Sequence, residues 1–314
     1  MRPSAKIFFT LFSLLAAAFQ TSGFQAVPQL RQGEVKVSAD TLRLDVEFLS
    51  DTLCGGRACG SRGLVEASAY IMRRLSSMGL EVAVQGFGVD SVRTGHNILA
   101  VPAHAAPGPC SASELIRKDR PLVVLMASYD GLGTLGGRLY PGADSNASGV
   151  AALLSLASRL RGSDNIVFAF LDAHNAGKGG SEALRLLLRG RRVALAVNID
   201  IVGAVISPVD TYWPDYLMAL GAGRWSRIAQ RCNSGLQLHL YYDYYRSRAF
   251  TDLFYRRAGE QAAFVADGTP SIMFTSGITA NTNKPSDTPD TLDYDIFSRR
   301  VEFIARFISE YGRK

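Results

Sequence analysis

Three largely apolar runs limit what this chain can fold into: Leu122-Val-Val-Leu-Met-Ala127, Ile166-Val-Phe-Ala-Phe-Leu-Asp172 and Arg192-Val-Ala-Leu-Ala-Val-Asn-Ile199. None alternates polar with apolar residues, so each reads as a strand buried on both faces, within a sheet covered by helices on either side. The covering helices are legible too. Asp40 to Leu49 has apolar residues at 42, 44, 46 and 49, Leu64 to Met78 is periodic and stops at Gly79, and Leu292 to Tyr311 is amphipathic. Leu80 to Phe87 and His96 to Val101 read as further strands, and Pro270 to Thr275 as the last one. Residues 102–120 read as a loop, 204–222 as irregular, Trp225 to Cys232 as a helix and Leu236 to Tyr245 as β-rich. The expected fold is a single α/β domain with a mixed, mostly parallel sheet flanked by helices.

The two ends of the chain define the organisation. Met1 to Lys6 is basic, Ile7 to Phe19 is apolar but too short to span a bilayer, and Thr21-Ser-Gly23 offers small residues for cleavage. Residues 1–23 are therefore expected to be a signal peptide, 24–39 a linker and 40–314 the folded domain. That predicts export to a periplasmic or extracellular location, with no membrane span. Four cysteines (Cys54, Cys59, Cys110, Cys232) suit an oxidising compartment, and their pairing stays open among three possibilities. Cleavage lowers the formal charge from +6 to +4, which is mild. The Arg189, Arg191 and Arg192 cluster reads as a solvated helix end, and no nucleic-acid partner is expected.

All three central runs end in polar residues, where an open α/β sheet builds its site. Ser128-Tyr-Asp130 follows the first, His174-Asn175 the second and Asp200 the third. Between them, Gly142-Ala-Asp144-Ser-Asn146-Ala-Ser-Gly149 opens a helix, and Asn283-Lys-Pro-Ser-Asp287-Thr288 lies after the last strand. In this order the landmarks resemble the M28 family of zinc aminopeptidases. The family's His-x-Asp appears as Ser128-Tyr-Asp130, its Gly-Ala-Asp-x-Asn-Ala-Ser-Gly as 142–149, and its Glu-Glu-x-Gly as His174-Asn175-Ala-Gly177. Asn-x-Asp is present as Asn198-Ile-Asp200, Ser-Asp-His-x-x-Phe is similar to Gly259-Glu260-Gln261-Ala-Ala-Phe264, and His-x-Pro-x-Asp-Thr is similar to 283–288.

The resemblance implies two zinc ions bridged by the residue at Asp144. It implies further ligands at Ser128 and Asp200 for one ion and at Asn175 and Asn283 for the other, with the general base at His174. Three of the five ligand positions (Ser128, Asn175, Asn283) thus lack their usual donor, and Asp144 and Asp200 are the residual ones. Asp130, Glu260 and Asp287 fall behind them. Amides and a hydroxyl neither balance the charge of zinc nor match its softness, so no cofactor is expected. The alternatives are zinc, or a single weakly bound calcium or magnesium on Asp144, Asp200 and Ser128. The reading is a pseudopeptidase with no catalytic residue, acting as a binding or scaffolding protein for a peptide or protein ligand in the old cleft. The alternative is an active aminopeptidase or glutaminyl-cyclase-like enzyme in which His174, Asp144 and Asp200 share a rearranged metal site. Lys178 and Lys284 are candidates to neutralise the two aspartates.

Three other patterns are set aside. Gly131-Leu-Gly-Thr-Leu-Gly136 fits a dinucleotide fingerprint, but no helix follows it. Ser128, His174 and an aspartate are triad residue types, but the chain has no nucleophile elbow. The sequon at Asn146 lies inside the metal motif. The tyrosines of Tyr241 to Tyr245 are either a binding face or an ordinary strand.

Overall fold

Helix α1 (Ala39–Ser50) begins where Ser38 accepts a hydrogen bond from the Thr41 amide, and α2 (Arg62–Ser77) begins the same way at Ser61. They belong to a computed structural model that describes residues 37–103, 111–116, 119–205, 214–244 and 246–312. The signal peptide and most of the linker expected from the sequence, as well as His104, Cys110 and Tyr245, lie outside the described residues. The described residues form one compact unit.

After α2, strands β1 (Leu80–Gly88) and β2 (Thr94–Pro102) form an antiparallel hairpin. The next elements are α3 (Ala112–Leu115), β3 (Leu122–Ser128), a small hairpin of β4 (Gly133–Leu135) and β5 (Arg138–Tyr140), α4 (Gly149–Leu160) and β6 (Ile166–Leu171). Then follow α5 (Gly179–Leu187), β7 (Val193–Ile199), β8 (Tyr216–Leu220), α6 (Ser226–Cys232) and β9 (His239–Tyr241). The chain ends with α7 (Arg248–Leu253), α8 (Ala262–Ala266), β10 (Ser271–Thr275) and α9 (Tyr294–Gly312). The main sheet has the order β1-β2-β6-β3-β7-β10-β8-β9. Its four central strands, β6, β3, β7 and β10, are parallel, and the antiparallel pairings flank them. The mixed, mostly parallel sheet expected from the sequence is what forms.

Alternate residues of the central strands serve two separate cores. Leu125, Phe168 and Val197 pack on one face beneath α1, α2, α4 and α9, while Val124, Val167 and Ala196 pack on the other with α3, α5 and α8. No described helix is long and apolar enough to cross a membrane.

Several local expectations are corrected. The 204–222 stretch contains β8, a five-residue strand buried throughout. Leu236 to Tyr245 supplies only three strand residues, because Asn233 closes a turn onto Leu238 on one side and Ser247 closes one onto Tyr244 on the other. The 102–120 loop holds the capped turn of α3. In agreement with the sequence reading, glycines 131–136 lead into the β4–β5 hairpin and no phosphate-binding helix follows them. Cys54, Cys59 and Cys232 are free thiols, which removes the Cys54–Cys59 pairing left open above.

Candidate functional site

Because β3, β6, β7 and β10 run parallel, their C-terminal ends emerge together. Ser128 pairs with Leu171, Met126 with Asn198, and Phe274 with Ile199. A cavity of about 150 Å³ opens there, lined by residues that include Ser128, Asp130, His174, Asn175, Asp200 and Asn283. The structure therefore gathers six of the nine positions singled out from the sequence around one cavity. Asp144, Glu260 and Asp287 do not line it, although all three are buried nearby.

Asp144 commits one of its two carboxylate oxygens to the protein itself. Its Oδ1 accepts hydrogen bonds from the Gly203 amide (2.9 Å), the Ala204 amide (3.1 Å) and the Ser148 hydroxyl (3.1 Å). These bonds tie the residue to the segment after β7. Asp144 does not cap α4, which starts at Gly149, where any Cβ would fall 2.5 Å from the Ile199 carbonyl oxygen. Asp144 Oδ2 is buried without a partner. Burial, reinforced by the nearby Asp287 charge, pushes the Asp144 carboxyl up to about 7, against the pull of the backbone amides. Asp287 in turn accepts from the Asp144 amide (2.8 Å) and the Ser145 amide (3.0 Å).

This carboxyl makes one contribution to the pH dependence of stability. The native acid holds its proton to about pH 7, whereas the unfolded chain loses it near pH 4, so folded protein binds more protons between the two. Stability from this group is present below pH 4 and lost as pH rises through 7. Asp144→Asn is expected to flatten the fall in thermal midpoint between pH 5 and pH 8, read by circular dichroism melting. An unchanged slope would contradict it.

His174 occupies the general-base position. Its Nδ1 lies 2.7 Å from Oε1 of Glu260, which is itself buried. Burial alone would lower the imidazole pKa, but the Glu260 hydrogen bond and charge, with Asp200 and Asp130 behind them, push it up to about 9. His174 is therefore an imidazolium at neutral pH. Beside Asp200 it supplies the larger share of positive charge, and Lys178, one of the two candidates from the sequence, adds a smaller one. The Lys178 ammonium donates to the Arg257 carbonyl.

The remaining positions hold the loops. Asp130 accepts from the His174 amide (2.9 Å) and from the Asn175 amide (3.0 Å) and side chain (3.3 Å), so it fixes the strand end beneath both residues. Asn146 donates to the Ser128 and Ile199 carbonyls, each at 3.2 Å, and is buried, which is consistent with discounting its sequon. Asn283 is exposed and receives only the Ser145 hydroxyl at 3.4 Å. Among the described residues no hydrogen bond joins Ser128 to His174, so the triad types do not form a triad. Sequence reasoning missed Phe254, Met273 and Ile278, which with Tyr244 form the apolar wall of the cavity. The tyrosine-rich stretch was the one signal for this wall, and of its described residues Tyr244 lines the cavity.

The model of the family described as "Peptidase family M28" matches residues 113–308. The chain belongs to that family. Solved structures with the same fold include the Legionella pneumophila LapA aminopeptidase, at 14% identity and TM-score 0.66, with 94% of this chain and 78% of that one covered. BSAP, a zinc aminopeptidase from Bacillus subtilis, is 13% identical over 88% of this chain and 95% of its own, with TM-score 0.66. Porphyromonas gingivalis glutaminyl cyclase is 18% identical over 88% of this chain and 99% of its own, with TM-score 0.63. No curated protein sequence matches.

The M28 fold brings zinc into question at this cleft, and the residues present do not fit it. Asp144 spends Oδ1 on backbone amides, Asn175 and Asn283 offer neutral amides, and Ser128 offers a hydroxyl. Among the described residues no three His, Cys, Asp or Glu side chains group closely enough to share a cation. The rearranged set of His174, Asp144 and Asp200 is not assembled either, because the His174 Nδ1 is taken by Glu260 and Asp144 lies outside the cavity.

Proposed function

We propose that this M28 protein is an exported pseudopeptidase that uses the cleft at the sheet's C-terminal edge to bind a peptide or protein ligand without metal and without hydrolysis. The observation that carries the reading is the His174–Glu260 pair. A general base must accept a proton from water, and an imidazole already protonated at neutral pH is unable to do so. The committed carboxylate oxygen of Asp144 supports the same reading, since water activation by paired metals needs a ligand that serves both. Export rests on the signal-peptide pattern of residues 1–23.

Elemental analysis of the mature protein, purified without chelator or affinity metal and then titrated with zinc, tests this reading. We expect no stoichiometric zinc, and no release of amino-terminal residues or cyclisation of amino-terminal glutamine. Stoichiometric zinc accompanied by turnover would overturn the proposal.

A further inference from the structure

The edge of the sheet opposite the cleft carries arginines that the fold leaves without an ion partner. β3, β6, β7 and β10 are parallel, so all four begin at that edge, and antiparallel β8 ends there. Arg161 lies in the turn that leads to β6, and Arg224 in the turn after β8. Arg192 stands directly before β7, and its carbonyl accepts from the Leu122 amide that opens β3. Arg189 lies three residues before Arg192, and Arg227 three residues after Arg224, in α6. All five side chains are exposed, and none makes an ion pair or a hydrogen bond among the described residues. The acids nearby are already matched: Asp164 by Arg120, Asp267 by Arg185, Glu310 by Arg231 and Asp252 by Arg256. Arg191 differs from its neighbours, because it donates to the Ile116 and Ser113 carbonyls. The cluster that read as a solvated helix end is thus extended by two other segments. Aromatic rings are set among these charges. Arg224 lies over the Trp225 ring at 4.3 Å, Trp225 meets Tyr311 edge to face at 5.8 Å, and Tyr311 donates to the Ala194 carbonyl in β7. Burial raises the Tyr311 phenol, and the charges of Arg224 and Arg192 pull it down, which places both guanidiniums near that ring. Leu186, three residues before Arg189, is an exposed large apolar side chain. From β6 to β8 the row crosses five neighbouring strands, about 19 Å at the ordinary strand spacing.

We infer that this arginine edge docks the protein on an anionic phospholipid membrane, with the cleft turned to the solvent at the far end of the strands. Guanidinium pairs with phosphate through two parallel hydrogen bonds, and an unpaired exposed arginine loses no internal bond in doing so. A row of arginines spread over five strands meets a plane of phosphates better than it meets one small anion. Trp225, Tyr311 and Leu186 supply the amphipathic and apolar contact that a headgroup layer rewards and a soluble polyanion does not. The inference is independent of what the cleft binds.

Co-sedimentation of the mature protein with vesicles tests the assignment. Binding is expected to vesicles of phosphatidylglycerol mixed with phosphatidylcholine, with none to phosphatidylcholine alone, and sodium chloride at about 0.5 M should release it. Each arginine near an anionic surface contributes about fivefold, so the combined variant Arg192→Gln, Arg224→Gln, Arg227→Gln should bind about a hundredfold more weakly. None of these side chains holds a hydrogen bond among the described residues, so the variant should melt like the parent. If it fails to fold, Arg189→Glu alone should still weaken binding at least about fivefold. A control removes the same charge elsewhere, from the exposed Arg62, Arg138 and Arg248 as glutamines, and should bind nearly as the parent does. Equal binding to neutral vesicles, no binding to anionic ones, an undiminished Arg192/Arg224/Arg227 variant, or an equal loss in the control would overturn the assignment. Binding to soluble polyglutamate or heparin by protein that ignores the vesicles would also overturn it, and would identify an acidic polymer as the occupant.

Discussion

Arg57→Met is expected to leave little folded protein. Arg57 is fully buried, and its guanidinium donates to the carbonyls of Leu49, Tyr129 (3.0 Å), Pro141 (2.9 Å) and Gly142 (2.9 Å). Those carbonyls belong to the end of α1, the end of β3 and the loop that leads to Asp144, so one side chain fastens three segments beneath the cleft. A methionine of similar length fills the space but leaves the Leu49, Tyr129 and Pro141 carbonyls without the donor that Arg57 supplied, while the Gly142 carbonyl keeps the Ala147 amide. Each of the three costs roughly 1–3 kcal/mol, so the total is about 3 kcal/mol or more, a large share of the stability of many domains. Arg57→Lys should recover only part of this, since one ammonium does not reach acceptors spread around a planar fork. Soluble yield and urea unfolding provide the test. A methionine variant that unfolds within a few tenths molar of the parent midpoint would contradict the account.

The sheet and its site edge were legible in the sequence because a strand buried on both faces announces itself locally. The runs at 122, 166 and 192 need no distant partner to be read, and neither do the polar residues that close them. β8 was hidden because its five residues follow Trp213 and Pro214 in a stretch with no alternation, and β-character there comes from pairing with β10. The direction of Asp144 was out of reach for a different reason. It depends on the amides of Gly203 and Ala204, about sixty residues further along the chain, and no side-chain pattern marks which amides will be free. The His174–Glu260 contact joins residues 86 apart. The sequence placed one as a lost base and the other as an outer residue, and only folding showed that the second charges the first. Most of the apolar wall escaped for the same reason: Phe254, Met273 and Ile278 join Tyr244 from three separate segments.

Restoring the missing donors should return zinc to the cleft. Ser128, His174, Asn175 and Asn283 all line one cavity with Asp200, so side chains at these positions converge without any change of fold. The combined variant Ser128→His, His174→Glu, Asn175→Glu, Asn283→His supplies two imidazoles and two carboxylates, the donor types that the family resemblance implies. Asp144 retains Oδ2 without a protein partner, and an anionic oxygen left in that state is costly unless it is protonated or meets a cation. Removing the His174 imidazolium strips the site of its internal cation, and the carboxylate introduced in its place would then face Glu260. The metal-free variant should therefore be less stable than the parent, with carboxyl pKa values pushed further up by mutual repulsion. Zinc relieves that repulsion. Binding is expected at micromolar zinc, with a gain of about 2.7 kcal/mol at a hundredfold excess over Kd, visible as a rise in thermal midpoint that the parent does not show. A variant that folds but ignores zinc would mean that the tie of Asp144 to Gly203 and Ala204 holds the bridge position shut. In that case the backbone, and not the donor set alone, would keep zinc from that position.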